Sequence, residues 1–460
     1  MKINNFMRDI IIKIFFSIAV YLISTNLSYG QLTYNTYLLA NLDQYGNVYS
    51  ACWGYSASNG REYAILGCVA GTSFVDITDS ANIHEVDFLP GLSSGWREMK
   101  VYSHYAYIVS EAVGSGLQIV DLQYLPDSVH LVRTFTFSGY ARTHSISQSG
   151  PYLYLNGGNY MMGGVFVLDL TSNPELPVKR GEWETRYVHD CRVRNDTIWA
   201  CNISSGHVTV INAMNKDNLF EITNWVNNPN PSPHNCDITT DRRYILTTDE
   251  NSIPGKLKVW NIQNLNNITL VTSWQPTGIT TSIVHNVEIY GNLAVVAHYT
   301  AGIRIVDISN PTTPTETAWY DTYPNSNSAS YAGCWGVFRF PSGKIIGSDM
   351  SRGLFVIKIG TLTSINGQNN SIPVKYELYQ NYPNPFNPST TIEYSLLKNG
   401  HVSLKIYNSL GEQVAVLVDE YATEGKHRIT YDASRLASGV YFYNLTADDY
   451  SETKKMTFVK

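Results

Sequence analysis

The apolar and polar positions of this chain repeat. After a glycine, a short apolar run closes on a polar residue seven times: "GTSFVDI" (71–77), "GLQIVDL" (116–122), "GVFVLDL" (164–170), "GHVTVIN" (206–212), "GKLKVWNI" (255–262), "GIRIVDI" (302–308) and "GLFVIKI" (353–359). The closing residues are Asp76, Asp121, Asp169, Asn212, Asn261, Asp307 and, where the pattern degenerates, Lys358, at intervals of 43 to 51 residues. Short apolar runs bounded by turn residues predict buried strands. A period in the mid-forties built from strands is that of a propeller blade, not of a helical solenoid. The sixth unit spells out four strands: "HNVEIYG", "NLAVVAHY", "GIRIVDI" and "TETAWYDT". Turn residues such as "SNGRE", "YGN" and "PSGK" join the first strand to the second and suit tight hairpins. Prolines in "SNP" and "NPTTP" end the third.

The seventh unit stops at "VIKIG" (356–360) without a fourth strand, while "NTYLLANLDQYG" (35–46) stands spare before the first unit. That segment is predicted to complete blade seven, closing the ring and covering two sheet edges. Strict alternation in "VSLKIYN" and "GVYFYNL" predicts a small antiparallel sandwich at the C-terminal end. The expected fold is therefore all-β: a seven-bladed β-propeller over 31–360, a Gly/Ser/Asn-rich linker over 361–373, and an immunoglobulin-like β-sandwich over 374–460.

Composition adds an address. Lys2, Arg8 and Lys13 precede the apolar "IFFSIAVYLIS" (14–24), and Ser28 and Gly30 offer a small-residue cleavage site, so residues 1–30 read as a signal peptide. The run is shorter than the roughly 18 residues a spanning helix needs, and no later segment reaches that length, so no transmembrane segment is expected. A net charge of −6 without basic runs argues against nucleic acid or anionic lipid as a partner. Export permits disulfides. No CxxC pair suggests a zinc knuckle, but Cys52 and Cys334 share the triad "CWG" in blades one and seven, a candidate bridge across the ring closure.

Four of eleven histidines return just ahead of a first strand, in "THSISQ", "VHDCRV", "PHNCDI" and "VHNVEI". Aligning the blades puts Trp53, Arg97, His144, His189, His234, His285 and Trp335 at one position, with Glu98 and Asp190 beside two of them. The innermost strands of a propeller begin at one mouth of its channel, so these residues are expected to form a ring. Three readings stay open. Each imidazole hydrogen-bonds a neighbouring blade's backbone; or the nine residues bind an extracellular ligand, a glycan, small molecule or protein; or His144, His189, His234 and His285 hold a divalent metal, with Asp190 or Glu98 nearby and a position left for water. No cofactor other than that metal is suggested. "TTDENSIPG" (247–255) clusters Asp249, Glu250 and Asn251 as either a solvated turn or a calcium loop. Glu111 has no assignable carboxylate partner for glycosidase chemistry. No Gly-x-Ser-x-Gly elbow supports a serine hydrolase.

"LQIVD", "IRIVD" and "VFVLD" resemble the LVIVD repeat, and 38–310, with "CWGY", "WREMKVYSHYAYIVSE" and "GSGLQIVDL", resembles the choice-of-anchor B proteins. That resemblance implies secretion and attachment through interchangeable C-terminal anchors. It implies no activity and no catalytic residues. "YPNPFNP", "NSLGEQV", "SGVYFY" and a terminal lysine pair resemble the type A sorting domain of the type IX secretion system, whose marks fall here on Tyr382, Pro383, Asn384, Pro385, Asn387, Pro388, Gly411 and Gly439. This second resemblance implies recognition by the type IX machinery, passage through the outer membrane, and a cell-surface or extracellular location. The expected function is a secreted, surface-anchored binding or interaction module; the alternative is a metal-dependent hydrolase or lyase working at the channel mouth.

Overall fold

The computed structural model describes residues 33–46, 48–360, 376–381, 384–398, 400–422, 425–434 and 436–459. The signal peptide expected at 1–30, the linker at 361–373, and Tyr382 and Pro383 lie outside these residues. Among the described residues every regular element is a strand, and no helix is long and apolar enough to cross a membrane. They form two compact units, divided after residue 362.

The first unit is a seven-bladed propeller of antiparallel sheets. The sixth blade, from the channel outwards, is Asn286–Tyr290, Leu293–Ala297, Ile303–Asp307 and Thr315–Tyr320. The innermost strands touch in a closed circuit: Tyr49–Ser56, Arg97–Tyr102, Ser145–Ser149, Asp190–Arg194, Pro233–Ile238, Asn286–Tyr290, Cys334–Arg339, and back to the first. Thr36–Leu42 pairs antiparallel with Gly353–Ile359 and supplies the outer strand of blade seven. Thr33–Tyr34 pairs with the outer strand of blade six, lapping the N-terminal chain over the junction.

Seven apolar clusters fill the seven gaps between neighbouring blades. Each blade is therefore packed on both faces. In Leu293–Ala297, Ala294 and Val296 enter the core shared with blade five, whereas Val295 and Ala297 enter the core shared with blade seven. This is why the middle strands read as unbroken apolar runs and not as alternation. Each fully buried valine contributes about 1.5–3 kcal/mol.

The repeat's two signature residues have local causes. The carboxylate or amide that ends the third strand of blades one to six accepts the backbone N–H two residues on: Asp76 from Thr78, Asp121 from Gln123, Asp169 from Thr171, Asn212 from Met214, Asn261 from Gln263 and Asp307 from Ser309, at 2.7–3.0 Å. These turns end the strand without leaving a buried donor unpaired. The glycine before that strand lies against the outer strand's exit: Gly302 has φ +79°, and a Cβ there would stand 2.4 Å from the Tyr320 carbonyl oxygen.

All six cysteines are free and buried, so the Cys52–Cys334 bridge is not formed. Strand pairing gives the reason. Cys334 opposes Asp349, the place Tyr49 holds opposite Cys68 in blade one, so the two "CWG" triads sit three positions apart. Cys52 lies in the core between blades seven and one, and Cys334 in that between six and seven.

The second unit packs two sheets, Glu377–Leu378, Ser389–Leu396 and Gly425–Asp432 against Gln413–Ala422, Gly400–Tyr407, Gly439–Ala447 and Tyr450–Phe458. Ile392, Leu404, Ile406, Tyr443, Leu445 and Met456 form its core. The segment Asn384 to Pro388 runs along the last strand. Phe386 N–H donates to Thr457 O at 3.0 Å, Thr457 N–H donates to Asn384 Oδ1 at 2.9 Å, and the Phe386 ring packs on Phe458 at 5.2 Å. The Pro388 carbonyl accepts Ala433 N–H at 2.9 Å. Gly411 takes φ +83° in the turn after Gly400–Tyr407, and Gly439 opens Gly439–Ala447.

Candidate functional site: a histidine arc at the channel mouth

Counting back from each first hairpin through the strand pairs aligns Ser50, Arg97, His144, His189, His234, His285 and Trp335. Trp53 does not belong to this ring. It lies three residues deeper, half-buried under Lys100, whose Nζ stands 3.9 Å above its ring. The longer first strand of blade one, Tyr49–Ser56, shifts the register there.

The four histidines come from consecutive blades and form an arc. Ring centroids are 4.1 Å apart for His144–His189, 4.5 Å for His189–His234 and 4.2 Å for His234–His285. Trp335 continues it, 5.0 Å from His285. Three of the ring residues reach the next blade's backbone: Ser50 donates to Arg97 O at 3.2 Å, His234 Nδ1–H to His285 O at 3.2 Å, and His285 Nδ1–H to Trp335 O. A carbonyl only accepts, so these contacts fix Nδ1 as the protonated nitrogen and leave Nε2 with its lone pair.

Two glutamates complete the arc. Glu111 and Glu250 each follow directly on the second strand of their blade, Tyr105–Ser110 and Tyr244–Asp249. Each reaches the histidine of the following blade: Glu111 Oε1 lies 2.6 Å from His144 Nδ1, and Glu250 Oε1 lies 3.7 Å from His285 Nε2. Glu250 Oε2 also stands 3.7 Å from His234 Nε2, and Tyr299 O–H donates to Glu250 Oε1 at 2.6 Å. Ligand atoms of His189, His234 and Glu250 lie within 4.8 Å of one another. Sequence reasoning weighed Glu111 and Glu250 separately and missed their pairing with the arc. Their shared position in the repeat was the available signal.

Burial dominates the electrostatics. It draws His234 down to about 4 against the pull of Asp190, and His285 down to about 3, helped by His234. His189 falls well below the usual range through burial and the three neighbouring imidazoles. His144 goes the other way: burial lowers it, but the Glu111 hydrogen bond and charge, with Glu98 and Asp190, leave it raised. Three imidazoles are thus neutral near pH 7, and His144 holds a proton more firmly.

The remaining predicted residues serve the wall. Arg97 is buried at the cavity wall, with Nε donating to Cys68 O at 3.1 Å and a terminal nitrogen to Leu92 O at 2.8 Å. Glu98 and Asp190 lie one layer below the arc. Glu98 accepts Ile146 N–H at 3.2 Å from the next blade. Asp190 bridges Ser145 at 2.7 Å and Asn235 at 2.5 Å on either side. Asp249 is no calcium ligand: it is buried against Lys258 Nζ at 2.6 Å. The cavity beneath the arc, lined by His144, Asp190, His234, His285 and Trp335, measures about 20 Å³. That is room for a water molecule, far below the roughly 300 Å³ of a small-molecule pocket.

Two family matches agree with this architecture. Residues 380–459 match the secretion system C-terminal sorting domain, and residues 283–322 match the LVIVD repeat. The sorting domain marks the chain for type IX export to the cell surface or extracellular space. Three solved structures are similar. One is PorZ, a surface component of the type-IX secretion system of Porphyromonas gingivalis (13% identity, TM-score 0.43); the match covers 88% of this chain and 59% of that one. Another is a Lactobacillus plantarum protein (11%, TM-score 0.50), covering 82% of this chain and 98% of that one. The third is a putative 6-phosphogluconolactonase from Bacteroides fragilis (11%, TM-score 0.51), covering 70% and 96%. At these identities the likeness is one of fold alone. No curated protein matches the chain.

Proposed function

We propose that this chain is an exported surface propeller of the choice-of-anchor B kind that binds an extracellular glycan on the face where the histidine arc opens. The observation that carries the reading is an unbroken run of ring contacts that begins and ends on exposed aromatics and passes through the buried Trp335, His285 and Tyr299. Trp96 contacts Trp335 (6.1 Å), Trp335 contacts His285 (5.0 Å), His285 contacts Tyr299 (4.6 Å) and Tyr299 contacts Tyr331 (5.6 Å). Its two ends are open to solvent, Trp96 at 47% and Tyr331 at 52% exposure. Flat aromatic faces attract the polarised C–H face of a sugar ring, as they attract cations. A polymer lying across the face suits a channel with room for little but water.

Screening the full chain on a glycan array tests this. The expected result is retention of a defined glycan class, weakened at least tenfold in Trp96→Ala with Tyr331→Ala while the melting temperature holds. A blank array, or unchanged retention by the double variant, counts against it. The grouping of His189, His234 and Glu250 favours a second reading, a metal-dependent hydrolase or lyase. Turnover of a retained glycan, lost in Glu250→Gln, decides for that one.

A further inference from the structure

We propose that the arc is a site for one divalent transition-metal ion, with zinc the best fit, held by the imidazoles of His189 and His234 and the carboxylate of Glu250. The inference stands apart from the glycan reading, since the ion needs no sugar. Three observations carry it.

The donor set comes first. Two imidazoles and a carboxylate form a ligand group of the kind that zinc and its neighbours in the first transition row accept. Their ligand atoms already stand within 4.8 Å of one another. Ligands about 2.1 Å from a tetrahedral ion stand roughly 3.4 Å apart, so closure asks about 1.4 Å of the widest pair.

The second is how the lone pairs are aimed. His234 and His285 spend Nδ1–H on backbone carbonyls, which turns both Nε2 atoms towards Glu250 at 3.7 Å. Among the described residues no donor meets either Nε2. Two lone pairs and a carboxylate then face one another with no proton between them, an arrangement that repels unless a cation sits there. Mutual imidazole hydrogen bonding, the structural alternative, would pair these atoms; only His144 and His189 come that close, Nε2 to Nε2 at 3.1 Å, and ligation of the ion through His189 Nε2 replaces that contact.

The third is outer support. A metal-binding imidazole needs its other nitrogen hydrogen-bonded, and a ligating carboxylate needs a donor to orient it. His234 has a backbone carbonyl and Glu250 the Tyr299 hydroxyl at 2.6 Å, while the Tyr187 hydroxyl stands 3.5 Å from His189 Nδ1.

The test uses the full chain, dialysed to remove metal and then titrated with zinc chloride. Wild type is expected to retain stoichiometric zinc and to melt several degrees higher with it. Glu250→Gln keeps the Tyr299 hydrogen bond and is expected to bind at least about 10- to 100-fold more weakly. His234→Ala is expected to lose binding, and His84→Ala, at an exposed histidine outside the arc, to bind as wild type. Cobalt(II) loaded into wild type is expected to give the visible bands of a four- or five-coordinate ion, a readout that requires no variant to fold. Wild type without stoichiometric zinc or cobalt bands overturns the site. So does zinc held equally by Glu250→Gln and lost in His84→Ala. Glycan retention is scored separately, so either proposal can fail alone.

Discussion

At the residue scale the arc divides the work of each imidazole between its two nitrogens. For His234 and His285 one nitrogen ties neighbouring blades together through a backbone carbonyl, and the other faces the Glu250 carboxylate. This shapes the pH dependence of stability. His234 and His285 titrate near 4 and 3 when folded because burial disfavours their charged form, against about 6.5 when unfolded. The unfolded chain therefore binds more protons below 6.5. The stability from each neutral histidine is complete above pH 6.5 and is lost as pH falls towards 4 and 3, at up to about 1.4 kcal/mol per pH unit. His144, raised by Glu111, acts in the opposite sense and stabilises only until pH climbs through its folded value. Urea denaturation between pH 7.5 and 4 is expected to show the midpoint falling on the acid side. His285→Asn should flatten that slope, and an unchanged slope would remove His285 from the account.

At the scale of the element, the blade is defined by a glycine that opens the third strand and a carboxylate or amide that closes it. The two are not equal. Gly302→Ala would force a Cβ to 2.4 Å from a backbone carbonyl at φ +79°, an expected loss of roughly 2–3 kcal/mol. Asp307→Ala removes a single side-chain hydrogen bond to Ser309 N–H and is expected to cost about 0.5–1.5 kcal/mol. Equilibrium denaturation of both variants checks the order, which reverses if the turn and not the close approach sets the blade's geometry.

Over the whole molecule, closure depends on strand Thr36–Leu42 from one end of the propeller chain pairing with Gly353–Ile359 from the other. Deleting residues 33–42 is expected to bare that edge and lower the melting temperature by several degrees, with a rise in self-association. An unshifted transition would show that the ring does not need this seam. Export belongs to the other unit. Removing residues 376–460 is expected to keep the protein from the cell surface and medium in a fractionation assay, because the sorting domain is the element matched to secretion.

The sequence by itself determined the blade count, the strand order and the all-β class. Every blade carries its own glycine and apolar run, six of the seven close on Asp or Asn, and these local signals recur every 43 to 51 residues. It also put four histidines in register, since His144, His189, His234 and His285 sit in blades of nearly uniform length. Blade one defeated the count: its first strand is longer, so Trp53 was placed where Ser50 stands, and Cys52 was matched to Cys334. Only the tertiary structure decided which side chains face the mouth. Arg97 turns to backbone carbonyls, Glu98 and Asp190 tie neighbouring strands, and Glu111 and Glu250 arrive from the blade before. Register along one strand is a local property, whereas the partner across a blade interface is set by packing between segments distant in sequence, as for Glu111 with His144 and Glu250 with His285.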